Sequence, residues 1–198
     1  MTMTCNEACA VIAGQESGAL VVTTMSAMFG YQKASQSPTV MSSVPLMGGA
    51  SGIGLGLALA RPEKQVLVLD GDSSLLMELG SLATVAGQKP ENFKHFVFKN
   101  NAQFAGIANA EVPGGAGVDF AAAALASGYA GAHKVETLEQ LKEQLPAILV
   151  ETGPVLVELS IGAPQKFGRS APQPEIPDMQ FQRMGAEARR VMQALAEA

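Results

Sequence analysis

A carboxylate at the end of a predicted strand is the strongest candidate for chemistry in this sequence. Asp72 follows the apolar run Val66 to Leu69 and precedes a segment with the spacing of a helix. Backbone N–H groups at the start of a helix attract anions such as phosphate groups. A carboxylate beside a phosphate is favourable when a divalent cation lies between them, because the cation offsets the repulsion between the two negative groups. The segment therefore predicts a site for a cation and a phosphorylated ligand.

A pair of asparagines, Asn100 and Asn101, follows the next predicted strand, His95 to Lys99. Amide oxygens are neutral, hard ligands for the same kind of cation. Neighbouring strands of a parallel sheet present their carboxyl ends at one edge, where the ligands of doubly wound folds bind. We therefore expect Asp72 and Asn101 to meet at that edge.

The elements that must position these residues follow from the pattern of apolar residues. Short apolar runs with the composition of strands buried on both faces are Ala19 to Thr23, Gln65 to Asp70, His95 to Lys99 and Val155 to Leu159. Segments with helical spacing are Leu75 to Ala86, Phe120 to Leu125 and Leu138 to Leu149. This alternation predicts an α/β fold, with a doubly wound, mostly parallel sheet and helices on both faces. The helix after Asp70 is expected to be one amphipathic helix, capped by Asp72 or Ser73.

The organisation of the chain changes after residue 162. Residues 1–162 are predicted to form one α/β domain, and residues 163–198 a Pro-rich arm followed by a C-terminal helix. The density of proline in the arm excludes a helix or an inner strand. The prolines are Pro164, Pro172, Pro174 and Pro177. From Phe181 to Ala198 the apolar spacing predicts a helix that packs on the body of the protein or on a neighbouring subunit.

Composition and charge argue against two classes of partner. The 198 residues carry 13 Lys and Arg against 18 Asp and Glu, a formal charge of -5, without the basic runs that nucleic-acid binding needs. No apolar stretch approaches the roughly 18 residues needed to span a bilayer, and the first residues lack the charged start of a signal peptide. We therefore expect a cytoplasmic protein that binds neither nucleic acid nor membrane, with Cys5 and Cys9 as reduced thiols.

The motif residues together resemble those of a known cofactor-binding domain. Gly71-Asp72-Ser73, followed after residues 74–99 by Asn100-Asn101, resembles the thiamine diphosphate motif, in which Gly-Asp-Gly precedes a pair of asparagines. Flanking segments that share the resemblance are Met47 to Ala60, Arg61 to Val66, Leu75 to Met77 and Gly80 to Thr84. Over roughly residues 18–162 the chain resembles the diphosphate-binding domain of sulfopyruvate and phosphonopyruvate decarboxylases.

This resemblance implies that the chain binds Mg²⁺ and thiamine diphosphate. Asp72, the side-chain oxygen of Asn101 and the backbone carbonyl of Gln103 would hold the Mg²⁺ ion. Diphosphate oxygens and water would complete an octahedron of oxygen ligands.

The resemblance also implies contacts between this chain and the rest of the cofactor. Residues near the diphosphate would be Gly71, Ser73, Ser74 and, as weaker candidates, Thr24 and Ser26. Met47 would hold the cofactor in its bent form. The backbone carbonyl of Pro45 would accept a hydrogen bond from the amino group of the aminopyrimidine ring.

The function implied by the resemblance is that of one subunit of a decarboxylase. The chain would be the diphosphate-binding, beta-type subunit of a thiamine diphosphate-dependent 2-oxo acid decarboxylase, most similar to sulfopyruvate decarboxylase, which converts a 3-substituted pyruvate to an aldehyde and CO₂. It would supply no catalytic side chain, because the glutamate that acts on the pyrimidine ring comes from a pyrimidine-binding, alpha-type subunit. We therefore expect a hetero-oligomer and a small 2-oxo acid substrate.

Two other interpretations stay open. Gly48 to Gly54 resembles the glycine fingerprint of short-chain dehydrogenases, with Asp70 in the place of their ribose-binding acid. Neither Tyr31 nor Tyr129, however, begins the Tyr-x-x-x-Lys sequence of those enzymes. Ser73 replaces the second glycine of the thiamine diphosphate motif and adds a side chain beside the phosphate position. A cofactor-free structural or regulatory homologue is therefore the other alternative.

Overall fold

A parallel sheet forms the centre of the protein, which the computed structural model describes over residues 2–43, 46–106, 108–163 and 177–197. The strands in these ranges are β1 (Leu20–Thr23), β2 (Val40–Ser42), β3 (Val66–Gly71), β4 (Phe93–Lys99), β5 (Ala102–Gln103), β6 (Ala110–Glu111), β7 (Gly131–Val135) and β8 (Val155–Ser160). Six of them form the sheet, in the order β2-β1-β3-β4-β8-β7 with every neighbouring pair parallel. The other two, β5 and β6, pair as a short antiparallel ribbon.

Helices pack on both faces of this sheet. They are α1 (Cys5–Gln15), α2 (Met25–Ala34), α3 (Ala50–Ala60), α4 (Asp72–Met77), α5 (Ser81–Gln88), α6 (Phe120–Ser127), α7 (Leu138–Val150) and α8 (Pro177–Ala196). Buried residues of α1, α2 and α7 form an apolar layer on one face, and those of α3, α5 and α6 form a second layer on the other. The doubly wound α/β fold expected from the sequence is confirmed.

The central strand β3 shows why its sequence is a continuous apolar run. Leu67 and Leu69 belong to the layer that contains α1, whereas Val66 and Val68 belong to the layer that contains α3. All four side chains are fully buried. A strand covered on both faces needs apolar residues at every position, so its sequence does not alternate.

Besides the short ribbon of β5 and β6, two strands of the six-stranded sheet were not expected from the sequence, and both lie at its edges. β2 has three residues. In β7 only Val135 is buried, and the strand carries the polar residues His133 and Lys134. Edge strands are therefore short or partly solvated here, and neither property produces a strong apolar signal.

The helix expected after β3 is broken into α4 and α5, which corrects the prediction of one continuous amphipathic helix. Glu78 lies outside helical geometry, at φ -133 and ψ 46. Leu75 and Leu82 are buried, as the helical spacing predicts, whereas Met77 and Leu79 are exposed at the break. The apolar spacing therefore includes side chains that do not enter the core.

The C-terminal helix was expected over residues 181–198 and extends over Pro177–Ala196, one turn earlier. Its Val191 is buried in the layer that contains α3. The arm prolines Pro164, Pro172 and Pro174 lie outside the described residues.

Helix α8 also covers the edge strand β2. The buried Glu187 carboxylate accepts the backbone N–H of Ser42 at 2.7 Å. The Arg190 guanidinium donates to the carbonyl oxygens of Pro38, at 3.4 Å, and Val40, at 3.2 Å. An edge strand leaves such backbone groups without strand partners. Side chains of α8 therefore provide the hydrogen bonds that another strand would have made.

Replacing Glu187 by Ala should lower the free energy of unfolding by about 1–3 kcal/mol, because the buried N–H of Ser42 loses its acceptor. Glu187→Gln is the matched control, since its side-chain oxygen can still accept this bond. Urea denaturation followed by far-UV circular dichroism measures both variants. Equal losses of stability in the two variants would contradict the role of this hydrogen bond.

Candidate functional site

The Asp72 carboxylate lies at the carboxyl edge of the sheet, where β3 ends and α4 begins. Its Oδ2 accepts the backbone N–H of Asn101 at 2.6 Å, and its Oδ1 accepts that of Ser73 at 2.7 Å. The parallel pairing of β3 with β4 thus brings Asp72 and Asn101 together, as expected. Gly71 occupies the N-cap position of α4 without a side-chain cap, which corrects the expectation that Asp72 or Ser73 caps the helix. Asp72 instead lies in the first turn of α4, where its carboxylate accepts the backbone N–H groups of Ser73 and Asn101.

The surroundings of the Asp72 carboxylate favour a bound cation. Only 2% of the residue is exposed. Burial raises the pKa of its carboxyl, while the neighbouring backbone N–H groups and the charge of Lys99 lower it. A bound cation would favour the ionised carboxylate further. The electrostatics of the site therefore suit a metal ion.

The other two predicted metal ligands lie after β4. Asn101 is exposed and has a φ of +54°, a conformation that asparagine adopts more readily than most residues. Gln103 is half-buried in β5 and pairs with Ala110. Within the described residues, no group of three or more His, Cys, Asp or Glu could hold a metal. A metal here would therefore combine Asp72 with amide and carbonyl oxygens, which is a donor set that suits Mg²⁺.

A glycine-rich loop approaches α4 from the other side. The backbone N–H of Gly48 donates to Oγ of the buried Ser74 at 2.9 Å. Gly48 has a φ of +83°, and a Cβ there would lie 2.5 Å from Cγ of Glu78. This contact was not expected from the sequence, although a glycine beside the predicted cofactor residue Met47 was a usable signal. The bond between Gly48 and Ser74 keeps the half-buried Met47 next to α4. Pro45, predicted to contact the cofactor, lies outside the described residues.

The two candidates after the first strand differ in accessibility. Thr24 is buried, and its hydroxyl donates to the carbonyl oxygen of Ser43 at 3.0 Å. Ser26 is half-buried in the first turn of α2. The Thr24 hydroxyl is therefore engaged within the protein, which leaves Ser26 as the more accessible of the two.

An ion pair between the half-buried Lys99 of β4 and the buried Glu158 of β8 lies close to the asparagine pair, and Glu158 also contacts the start of α6. Lys99 Nζ donates to Oε1 of Glu158 at 3.1 Å and to the carbonyl oxygen of Val118 at 2.6 Å. Oε2 of Glu158 accepts the backbone N–H groups of Phe120, at 2.8 Å, and Ala121, at 3.3 Å. The last residue of β4 is therefore held firmly just before Asn100 and Asn101. No local pattern in the sequence predicts this pairing, because Lys99 and Glu158 are 59 positions apart along the chain.

Large apolar side chains are exposed on segments that adjoin the motif. Leu46 is 59% exposed on the loop before Met47, Met77 is 60% exposed at the end of α4, and Phe104 is 67% exposed after β5. Exposed apolar side chains that lie around a polar site are typical of a contact surface.

The residues singled out for nucleotide binding have structural roles. Asp70 is fully buried and accepts the backbone N–H of Gly71 at 2.8 Å, so it is not accessible to a ribose. A Cβ at Gly54 would collide with Val68, so this glycine allows α3 to pack closely on β3. These contacts argue against the dehydrogenase interpretation.

Comparison with known proteins gives a family match. The model of the thiamine pyrophosphate enzyme C-terminal TPP binding domain matches residues 21–159. A phosphonopyruvate decarboxylase of Streptomyces viridochromogenes is 41% identical over 123 residues, which are 60% of this chain and 29% of that protein. A phosphonopyruvate decarboxylase of Streptomyces hygroscopicus is 37% identical over 151 residues, 73% of this chain and 36% of that protein. The matches therefore span about a third of the length of these relatives.

Shorter and structural matches agree with this family. The sulfopyruvate decarboxylase subunit beta of Methanothermobacter thermautotrophicus is 63% identical over 46 residues, 23% of this chain and 24% of that subunit. A thiamin diphosphate-dependent enzyme from Mycobacterium smegmatis superposes with a TM-score of 0.68 at 19% identity, over 82% of this chain and 33% of that one. The structural likeness supports the fold. Among the described helices, none is both long and apolar enough to cross a membrane.

Replacing Gly48 by Ala should lower the free energy of unfolding by about 1–3 kcal/mol, because alanine is strained at positive φ and its Cβ would collide with Glu78. Gly52→Ala is the matched control, since Gly52 lies within α3 with open space around it. The control should be neutral or stabilising by up to about 1 kcal/mol. Urea denaturation of both variants measures the difference, and an equally stable Gly48→Ala protein would contradict the structure of this loop.

Proposed function

The chain belongs to the thiamine pyrophosphate enzymes, whose C-terminal TPP binding domain it matches over residues 21–159, and from this premise we propose that it is the diphosphate-binding subunit of a thiamine diphosphate-dependent 2-oxo acid decarboxylase. The relatives named phosphonopyruvate decarboxylase and sulfopyruvate decarboxylase subunit beta support this choice of reaction. The proposed substrate class is a pyruvate with an acidic group on its third carbon.

The observation that carries this proposal is the Asp72 carboxylate, buried at the sheet edge and hydrogen-bonded to the Asn101 backbone at 2.6 Å. We assign Asp72, the Asn101 side-chain oxygen and the Gln103 carbonyl as ligands of Mg²⁺. An ionised carboxylate with neutral oxygen ligands leaves net positive charge on the ion. That charge would hold the diphosphate of the cofactor.

The proposed diphosphate contacts are Gly71, Ser73, Ser74 and Ser26. Thr24 is the weaker candidate, because its hydroxyl donates to Ser43 and its backbone N–H donates to Leu69. Ser74 Oγ already accepts the Gly48 N–H, so this hydroxyl is held in a fixed direction and can still donate one hydrogen bond. Ser73 is half-buried. Its hydroxyl, in the place of the glycine of the motif, would add one donor to the diphosphate.

The remaining proposed contacts concern the shape of the cofactor. Met47 would support the cofactor in its bent form. The backbone carbonyl of Pro45 would accept a hydrogen bond from the amino group of the aminopyrimidine ring. When bound, thiamine diphosphate supplies the electron sink that loss of CO₂ from a 2-oxo acid requires. This chain would hold the diphosphate, fix the position of the cofactor and help to exclude water.

We propose that a second, pyrimidine-binding subunit completes the site. The exposed side chains of Leu46, Met77 and Phe104 support a contact surface beside the motif. Three relatives are named sulfopyruvate decarboxylase subunit beta, a name that implies an alpha subunit as partner of those proteins. That partner would supply the glutamate that acts on the pyrimidine ring, and the assembly would be a hetero-oligomer.

Replacing Asp72 by Asn should weaken Mg²⁺-dependent binding of thiamine diphosphate more than about a hundredfold. Loss of a residue that merely supports a metal ligand weakens metal binding by about 10–100-fold, and loss of the charged ligand itself should weaken it more. The variant should stay folded, since asparagine keeps one of the two acceptor oxygens of Asp72 and removes a buried charge, which offsets the loss of the other hydrogen bond. Isothermal titration calorimetry measures binding, and circular dichroism checks the fold.

Glu63→Gln is the matched control for this loss of charge, because Glu63 is exposed and lies before β3, at the opposite end of the strand. It should bind the cofactor as the unaltered chain does. Undiminished binding by Asp72→Asn would overturn the metal assignment. Binding of a nicotinamide nucleotide in place of thiamine diphosphate would favour the dehydrogenase alternative, and binding of neither would favour a cofactor-free homologue.

A preparation of this polypeptide alone should not decarboxylate sulfopyruvate, phosphonopyruvate or pyruvate, even with saturating Mg²⁺ and thiamine diphosphate. The proposed glutamate and the surface that excludes water belong to the partner. Addition of a pyrimidine-binding subunit should restore turnover, measured as CO₂ release. Sustained turnover by a sample that mass spectrometry shows to contain only this polypeptide would contradict the two-subunit proposal.

A further inference from the structure

Three polar side chains form a buried chain of contacts beneath the motif. Asp70 and His95 are fully buried, and Tyr129 is 5% exposed. Nε2 of His95 lies 3.4 Å from Oδ2 of Asp70, and Nδ1 of His95 lies 3.3 Å from Oη of Tyr129. Tyr129 belongs to the apolar layer that contains α3, so this network crosses an otherwise apolar region.

The network ends on the backbone immediately before Asp72. Oδ1 of Asp70 accepts the backbone N–H of Gly71 at 2.8 Å. The carbonyls of Gln65, just before β3, and Leu69, within it, accept N–H groups from the β1 side of the sheet. The backbone N–H of Gly71, two residues after Leu69, points to that same side, but β1 has ended at residue 23. The Asp70 carboxylate therefore replaces the strand partner that the Gly71 N–H lacks.

One arrangement of protons satisfies all the contacts of this network. With an ionised Asp70 and a neutral His95, Nε2 of His95 donates to Asp70 and Nδ1 accepts from the Tyr129 hydroxyl. Burial, followed by the charge of Asp70, raises the pKa of Tyr129, which keeps its hydroxyl protonated. The aromatic ring of Phe93 packs edge-on against His95, with the ring centroids 6.0 Å apart. Each polar side-chain atom of Asp70, His95 and Tyr129 therefore has one partner in the network.

Stability alone gives little reason for such a network, because apolar side chains of similar volume often stabilise a core equally well. Its contact with the Gly71 backbone gives a different reason. We propose that Asp70, His95 and Tyr129 are positioning residues, which hold the Gly71 backbone and thereby direct the Asp72 carboxylate towards the cation. This inference rests on the proposed function of Asp72.

The aspartate of the network can be tested with two substitutions of similar size. Asp70→Leu removes the acceptor of the Gly71 N–H. Asp70→Asn keeps an acceptor oxygen, and His95 can accept from its amide after exchanging the roles of its two nitrogens. We expect the leucine variant to bind thiamine diphosphate with Mg²⁺ about tenfold more weakly, and the asparagine variant to bind nearly as the unaltered chain does.

The tyrosine of the network has a matched control in this chain. Tyr31 is also fully buried, and its hydroxyl donates to Oε1 of Glu16 at 3.2 Å, in the layer on the opposite face of the sheet. Tyr129→Phe and Tyr31→Phe each remove one buried hydroxyl. Both should lower stability, but only Tyr129→Phe should weaken cofactor binding, in the same direction as Asp70→Leu and by a smaller factor.

Amide hydrogen exchange and calorimetry on the full chain separate the possible outcomes. Without cofactor, the Gly71 amide should exchange faster in Asp70→Leu and Tyr129→Phe than in Asp70→Asn or Tyr31→Phe. If the unaltered chain binds and Tyr129→Phe weakens binding no more than Tyr31→Phe does, the positioning role is refuted, even where Asp70→Leu fails to fold. If the unaltered chain itself does not bind the cofactor with Mg²⁺, the proposed function fails first, and the inference fails with it.

Discussion

A carboxylate that is almost completely removed from water governs the carboxyl edge of this sheet. An ionised group at such a position is costly unless hydrogen bonds or a cation compensate it. The Asp72 carboxylate accepts one N–H from its own turn, that of Ser73, and one from the neighbouring strand's end, that of Asn101. The second bond requires β3 and β4 to end together, which their parallel register provides by pairing Gly71 with Phe98. The sheet and the site are therefore parts of one arrangement.

The same short helix joins a third segment to this edge. Ser74 lies in α4 two residues after Asp72, and it accepts the Gly48 N–H of the glycine-rich loop. With only six residues, α4 has little stability of its own. Its position depends on tertiary contacts, including the burial of Leu75 in the layer that contains α3. Because one helix carries both Asp72 and Ser74, a displacement of α4 would disturb the carboxylate and the loop together.

The sequence predicted those parts of the structure that depend on local pattern and on a general rule of sheets. Continuous apolar runs identified β3 and β4, and the shared edge of parallel strands was enough to expect Asp72 beside Asn101. Contacts that depend on tertiary packing had no such signal. Residues 70 and 95, or 95 and 129, are 25 and 34 positions apart, and a lone histidine in an apolar run does not indicate its partner. The edge strands β2 and β7 were missed because one is short and the other is partly solvated.

The break between α4 and α5 connects the failed helix prediction with the surface of the site. A single amphipathic helix would have directed its apolar stripe towards the core, and the spacing alone favoured that outcome. At Glu78 the chain leaves helical geometry, so Met77 and Leu79 face solvent while Leu75 and Leu82 remain in the core. Exposing large apolar side chains is unfavourable by about 25 cal/mol per Å², and a sequence can retain them when another surface covers them. The break at Glu78, which the apolar spacing did not reveal, therefore places Met77 and Leu79 beside the motif, where a partner subunit would cover them.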